Sequence, residues 1–508
     1  MTDPRRATHP APPGLPDASA LAKTPHVVVV GAGIAGLAAA AGLVERGVSV
    51  DVVEREPYLG GRVGGWTDDG LAMNRGFHAF FRQYYNLRDL LRRIDSGLGM
   101  LTPVEDYPLV DGQGRRDTFR GLPQTPPLNA LAFALRSPTF RLRDLARLNA
   151  RAAAPLAAVS VPDIYDRLDH VDADSFLRDI NFPDAARHLA FEVFSRSFFA
   201  EPANLSAAEL ATMFHIYFLG SSEGLIFDVA NANFDVALWN PLRDYLESRG
   251  ARLHTGVSVT AVTTETGLRV HCDNSTEFEC AGFECDGVVL ATDVAGLQRI
   301  VAGSPALGDA DWRARIAALG MAPPFVVQRL WLDRPVRADR SAFLGTGGRP
   351  PLDNVSVLDR YELQAAEWCR RTGGSVVELH SYAATDGPDG LRDRMLAQLH
   401  ALYPETTQAG IVDERVLYRD DCPRFAPGDH AARPTVATPH PAVALAGDGI
   451  RIDLPVALME RAATTGWSAA NRLLGHYGVA GHTLHTVPTQ GRSGALRRLA
   501  QRERQLAR

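Results

Sequence analysis

The stretch HVVVVGAGIAGLAAAAGLVERGVSVDVVERE, residues 26–56, decides the fold. Val27, Val28, Val29 and Val30 are consecutive β-branched residues, which predict a short strand buried on both faces. Gly31, Gly33 and Gly36 then spell G-x-G-x-x-G, an alanine-rich helix follows, and VSVDVV predicts a second strand ending on Glu54. Gly31 permits a tight turn, Gly33 lets backbone approach a pyrophosphate, and Gly36 lets the helix pack on the strand. Ala35 falls in the first helical turn, whose free N–H groups attract phosphate charge. Glu54 lies 21 residues past Gly33, where a carboxylate can hold ribose hydroxyls, with Arg55 next to it. Strand, turn, helix, strand and acid in one register predict a dinucleotide-binding βαβ unit.

The rest of the chain bounds what surrounds that unit. There are 508 residues, 45% hydrophobic and 22% charged, enough for two substructures with sizeable cores. The net charge of −6 excludes a nucleic-acid binder on electrostatic grounds. Five cysteines cannot make a disulfide scaffold, and Cys272, Cys280 and Cys285 match no common metal spacing. They read as thiols of a reducing cytoplasm, and no metal is expected. Residues 1–25 are rich in proline and small residues, lack an apolar signal core, and read as disordered. No apolar run reaches about eighteen residues, so no membrane-spanning helix is expected.

Two further segments return to the nucleotide unit. YLGGR carries Gly60, Gly61 and Arg62, and AVALAGDGIRIDLPVALMERAATTGWSAANRLL reads as a buried strand, a Gly-Asp turn and a long helix. Together these resemble the FAD-dependent carotenoid desaturase and flavin amine oxidase superfamily. The resemblance implies FAD as cofactor. It places Gly61 and Arg62 near the flavin, Gly447 and Asp448 at its ribityl and phosphate, and Met459 at a helix end aimed at its ring. It also places Val257 at the adenine and Ala291 beside the cofactor. The fold it implies is α/β: a Rossmann-like FAD-binding domain of the amine-oxidase type with an interleaved α+β substrate domain. The expected FAD segments are 26–75, 245–300 and 436–476. Residues 76–244 and 301–435 would form the substrate and membrane-associating domain, and 477–508 a basic tail.

The stretch GFHAFFRQYYNLRDL, Gly76–Leu90, is dense in aromatics, and so is the segment holding Phe191, Phe194, Phe198, Phe214 and Phe218. Such density is core by default, but an aromatic stretch this near the flavin glycines suits a pocket wall. The sequence is similar here to plant-type phytoene and zeta-carotene desaturases. Over FFAEPANLSAAELATMFHIYFLGSSEGLIFDVANANFDVALWNPL it resembles more closely the bacterial isorenieratene synthase family, desaturase/methyltransferases that make aromatic carotenoid end rings. That resemblance implies conversion of a β-ionone ring of β- or γ-carotene to a trimethylphenyl ring, one methyl moving within the ring. No methyl donor is then needed.

Ring C–H bonds are not acidic, so a protein base cannot begin such a reaction. An oxidant must, and the protein positions the ring, excludes water and stabilises positive charge. Phe80, Phe81, Arg82, Tyr84 and Tyr85 are the expected substrate wall, their ring faces suited to a cation. His78, His215, Glu223 and Asp228 are the candidate proton acceptors. No second nicotinamide motif is present, which points to another electron acceptor, a membrane quinone being the candidate. Leu128, Leu131, Phe133, Ala134 and Leu135, followed by Arg136, Arg141 and Arg143, predict a peripheral membrane contact on the cytoplasmic surface. An acyclic carotene desaturase or amine-oxidase-type flavoenzyme shares the same nucleotide motifs. A GDP-dissociation-inhibitor-like lipid binder shares the fold without catalysis.

Overall fold

A computed structural model describes residues 3–140, 142–190, 196–223, 225, 227–273, 282–491, 494, 497 and 498. Phe191, Phe194, Arg141 and Cys280 lie outside the described residues.

The nucleotide layer is a five-stranded, wholly parallel sheet. Its order is Arg252–Thr255, Ser49–Glu54, His26–Val30, Gly287–Leu290, Val443–Leu445. Val27–Val30 and Gly287–Leu290 are buried along their length, as a sheet covered on both faces requires. The helices Ile34–Val44 and Leu458–His476 cover one face and touch through small residues. A Cβ on Gly42 would lie 2.8 Å from Ala470 Cβ, and one on Gly466 would lie 2.2 Å from the Ala35 carbonyl oxygen. The alanine-rich helix is therefore flat where the second helix must approach. A three-stranded antiparallel ribbon, Ser258–Thr263, Leu268–Asp273 and Phe283–Cys285, flanks this layer.

The second layer is a seven-stranded sheet, ordered Ile411–Arg419, Phe325–Leu332, Ser375–Ser381, Asn354–Val357, Phe343–Thr346, Leu109–Val110, Arg116–Asp117. Alternation along Phe325–Leu332 divides its faces. Val326 and Leu330 pack with Met395 and Leu399 of the helix Pro388–Leu402. Phe325 and Val327 point the other way, toward the nucleotide layer and the cavity between the sheets. Short helices between residues 128 and 219 close one side.

The termini differ from expectation. Residues 3–25 are ordered: Ala7–His9 pairs antiparallel with Leu484–Thr486, and Leu15 donates to the Gly478 carbonyl. Asp3 accepts from the Ser222 N–H, while its own N–H donates to Glu223 at 2.5 Å. A proline-rich segment cannot order itself, but here a strand 477 residues away supplies the ladder. That partner belongs to the expected tail, of which residues 477–491 are packed too: the Val161 N–H donates to the Thr489 carbonyl.

Candidate functional site

The nucleotide end of the site begins where the first strand stops. Gly31 has φ +100°, and a Cβ there would sit 2.6 Å from the Ala291 carbonyl oxygen, so only glycine makes this turn. Gly36 is not in the cleft at all. A Cβ on it would lie 1.8 Å from the Gly31 carbonyl oxygen, so it serves the packing of helix on strand. Gly33 caps the helix Ile34–Val44 without a side-chain hydrogen bond, leaving first-turn N–H groups directed at the cleft. A Cβ on Gly33 would meet only Gly61 Cα, at 3.9 Å, and would otherwise project into open space. Glu54 accepts from the Ala32 N–H at 2.7 Å and the Glu56 N–H at 2.9 Å; burial raises its pKa. Arg55 pairs with Asp293 at 2.9 Å, and Asp293 caps the helix Val294–Ala302 through the Gly296 N–H.

The far end of the groove is built by the last helix. Gly447 has φ +146°, and its N–H donates to Thr465 Oγ1 at 2.9 Å. Arg62 is bonded to Asp448. The helix Leu458–His476 starts without a side-chain cap, on Leu458 at φ +52°, and Leu458, Met459 and Ala462 face the cavity. Beneath it Glu209 is fully buried and bonds Arg461 at 2.8 Å and Arg433 at 2.9 Å. Burial raises the Glu209 pKa, but Arg461 and Arg433 outweigh it and hold the carboxyl at about 2.

Gly31, Gly33, Ala35, Glu54, Arg55, Gly61, Arg62, Val257, Ala291, Gly447, Asp448 and Met459 all line one cavity of ≈ 700 Å³. Two uncapped helix N-termini open onto it, and a glycine cradle stands between them. This fits a long dinucleotide with phosphates at the first helix and an electron-rich ring at the second.

Beyond the second helix the wall turns aromatic. Phe77, His78, Phe81 and Tyr84 line it, joined by Tyr107, Phe199, Phe325, Val327, His380 and Tyr382. The stretch at residues 76–90 is thus both wall and core. Phe80 and Tyr85 are buried away from the cavity, and Arg82 instead lies 3.7 Å from Asp228. Of the four candidate proton acceptors only His78 reaches the wall. His215 donates from Nε2 to the Pro488 carbonyl, Glu223 is held by Asp3, and Asp228 is salt-bridged to Arg88 at 2.6 Å. None of these three lines the cavity. His215 and Asp228 each follow a phenylalanine in sequence, which says nothing of the side they face.

Sequence reasoning missed the contribution of the seven-stranded sheet. The signal was in SVVELHSY, where Glu378, His380 and Tyr382 recur at every second position of a buried strand. Period-two polar residues in a buried strand share a face and need partners. No group of three or more candidate metal ligands occurs among the described residues.

The model of the family described as flavin containing amine oxidoreductase matches residues 34–474. A carotenoid phi-ring synthase of Streptomyces griseus is 57% identical, over 98% of this chain and 96% of that protein. A carotenoid phi-ring synthase of Chlorobaculum tepidum is 28% identical, over 91% and 90%. Among solved structures, cyclohexylamine oxidase from Brevibacterium oxydans is 16% identical, with a TM-score of 0.63 over 89% of this chain and 99% of that one.

Proposed function

This chain belongs to the flavin containing amine oxidoreductase family, and from that premise we propose that it aromatises the end ring of a carotenoid. It is an FAD-dependent oxidoreductase. The observation that carries the substrate class is the likeness to the Streptomyces griseus phi-ring synthase, which runs through both layers rather than the nucleotide motif alone. The aromatic end of the cavity suits the same substrate: flat, apolar and without groups that need hydrogen bonds.

Bound FAD supplies the oxidant that a ring without acidic C–H bonds requires. This chain's residues do the rest. Phe77, Phe81 and Tyr84 hold the ring and exclude water, so positive charge developing there is not quenched. Their faces stabilise that charge through the ring quadrupole. Tyr84 is itself fixed by a 2.5 Å hydrogen bond to Tyr217. The methyl group moves within the ring, so no donor site is called for. A quinone of the surrounding lipid is the proposed final electron acceptor.

The deciding experiment is expression in a β-carotene-producing bacterium with pigment analysis. Aromatic end rings are the expected result. Longer conjugation without aromatic rings would instead indicate an acyclic desaturase, and an unchanged pigment with a colourless purified protein would indicate a lipid binder. Glu54→Ala is expected to weaken FAD by about 1–3 kcal/mol, roughly five- to 150-fold, through lost ribose hydrogen bonds. Titration of apoprotein with FAD by fluorescence quenching measures it, and an unchanged affinity would remove Glu54 from the site.

Carotenes reside in bilayers, and no helix among the described residues is long and apolar enough to cross one. We propose surface attachment through the helix Leu128–Arg136. Leu128, Leu131 and Leu135 are 55%, 52% and 55% exposed, spaced to form one stripe, with Arg136 at its end. Phe133 is not part of that surface: it is buried and stacks on Phe119 with centroids 4.9 Å apart. Its replacement would damage the core. Leu131→Asp with Leu135→Asp is the clean test. The double variant should fail to float with anionic liposomes while keeping its flavin spectrum; normal flotation and turnover would dismiss this helix as the contact.

A further inference from the structure

The aromatic end of the cavity is closed by a polar face that the reaction described so far does not use. Glu378, His380 and Tyr382 follow one another at period two and so share one side of the strand Ser375–Ser381 and its continuation. The neighbouring strand sets Val327 opposite His380 and Arg329 opposite Glu378. Tyr382 and His380 line the cavity. Tyr382 Oη lies 2.9 Å from His380 Nδ1, and His380 Nε2 lies 2.8 Å from Glu378 Oε1. Glu378 Oε2 accepts from Arg329 Nε at 2.8 Å and Nη2 at 2.6 Å.

We propose that Tyr382 and His380 are the proton acceptor of the ring-aromatising reaction, with Glu378 as the residue that positions the imidazole; this rests on the carotenoid reading above. A carboxylate on Nε2 fixes the tautomer: Nε2–H donates to Glu378, so Nδ1 accepts from the Tyr382 hydroxyl. Bound FAD would supply the two-electron oxidation that takes a hydride from the ring and leaves it cationic; an adjacent ring C–H bond then breaks. Its electron pair becomes the ring double bond. The proton passes to Tyr382 Oη as the hydroxyl's own proton passes to His380 Nδ1. The product ring is neutral, and the charge gained is an imidazolium held against the Glu378 carboxylate.

The cluster can absorb that charge. Burial pushes Glu378 up, but Arg329 and His380 outweigh it and hold the carboxyl at about 2, ionised and ready to face an imidazolium. Glu362 lies 3.8 Å from Arg329, and burial pushes its carboxyl up to about 7 against the pull of Arg329. Glu362 also lines a second cleft of ≈ 400 Å³ beside Thr67, Trp331 and Gln364. A proton gained at His380 can therefore be offset by one lost from Glu362 on the same face of the sheet, with no net change in buried charge. His78 is the weaker acceptor. Its Nδ1 is engaged with the Gly76 carbonyl, and burial pushes its pKa down to about 4, with Arg75, His380 and Arg62 adding to the same effect.

Charged and titratable groups face His380 from every element packed against it. These are Glu378 and Tyr382 on its strand, Arg329 on the next strand opposite Glu378, Asp353, whose N–H donates to the His380 carbonyl, and His78 and Arg75 from the loop beyond. The test is steady-state turnover of FAD-loaded wild type, Tyr382→Phe and His380→Gln on carotenoid in mixed micelles, across pH. Both variants should keep full flavin and a near-normal KM while kcat falls roughly 10²- to 10⁴-fold. The wild-type kcat should fall on the acid side, and that limb should vanish in His380→Gln. A kcat within threefold of wild type in Tyr382→Phe, or an unaltered acid limb in His380→Gln, overturns the proposal. If buried His380→Gln fails to fold, Tyr382→Phe, which removes one atom from the cavity wall, decides alone. Wild type yielding no aromatic product would overturn the substrate reading instead.

Discussion

Gly33→Val should yield a folded, colourless protein. The backbone at Gly33 has φ −75° and ψ −179°, ordinary for any residue, so valine brings no strain. Nothing but Gly61 Cα stands within 4 Å of the new Cβ, so the apoprotein has room for it. The γ-methyls then occupy the gap through which a pyrophosphate must reach the first-turn N–H groups. Losing two charge-assisted hydrogen bonds at about 1.5–3 kcal/mol each lowers FAD affinity roughly 10²- to 10⁴-fold. Activity should disappear with the flavin. The flavin-to-protein absorbance ratio after gel filtration reads the effect, and thermal unfolding checks the fold. Gly36→Ala makes the contrast. Its Cβ meets the Gly31 carbonyl at 1.8 Å, so instability is expected there before any loss of affinity. A Gly33→Val protein that retains a full flavin complement would refute the pyrophosphate path.

The second large effect belongs to Glu209. Gln keeps its shape but removes the carboxylate that pairs with both Arg433 and Arg461, whose side chains are 3% and 4% exposed. Two uncompensated guanidiniums in the interior should cost about 3–5 kcal/mol of folding stability. The damage should reach the cofactor, because Arg461 also donates to the Val456 carbonyl just ahead of the flavin-facing helix. Denaturant titration measures the loss, and an unchanged midpoint would show that the cluster is not coupled to stability. The pH dependence has a definite sign. The folded carboxyl is depressed to about 2 from 4.5, so its contribution is complete above about 4.5 and fades as pH falls toward 2. The gap between wild type and Glu209→Gln should therefore narrow below pH 4.5.

What the sequence made legible was local. Gly31, Gly33, Gly36 and Glu54 announce themselves because turn, helix start and acid lie within a few dozen residues, each with one geometric reason to be there. The resemblance supplied Asp448 and Met459, which no spacing could have tied to Gly31. Three of the four candidate proton acceptors, His215, Glu223 and Asp228, lie off the cavity wall for the opposite reason. Asp228 looked free in sequence, yet its partner Arg88 stands 140 residues earlier. His380 stands in a strand whose alternating polar residues show a shared face but not what that face meets, because its significance lies in Val327 and Arg329 on the next strand. The amino terminus misled because composition reports what a segment does alone, while Leu484–Thr486 offered it a sheet edge.

The order of the parallel sheet also governs how the chain must be made. Leu290 and Leu445 are neighbours in that sheet, 155 residues apart. At a translation rate of about 5–20 residues per second, the nascent valine-rich edge waits roughly 8–30 s for its last strand. Until then it is an open template for other chains, and the helix that completes the flavin site has yet to leave the ribosome. The nascent chain therefore cannot use its cofactor as a folding aid. Slowing initiation, so that fewer unfinished chains coexist, should raise the soluble yield more than adding riboflavin does.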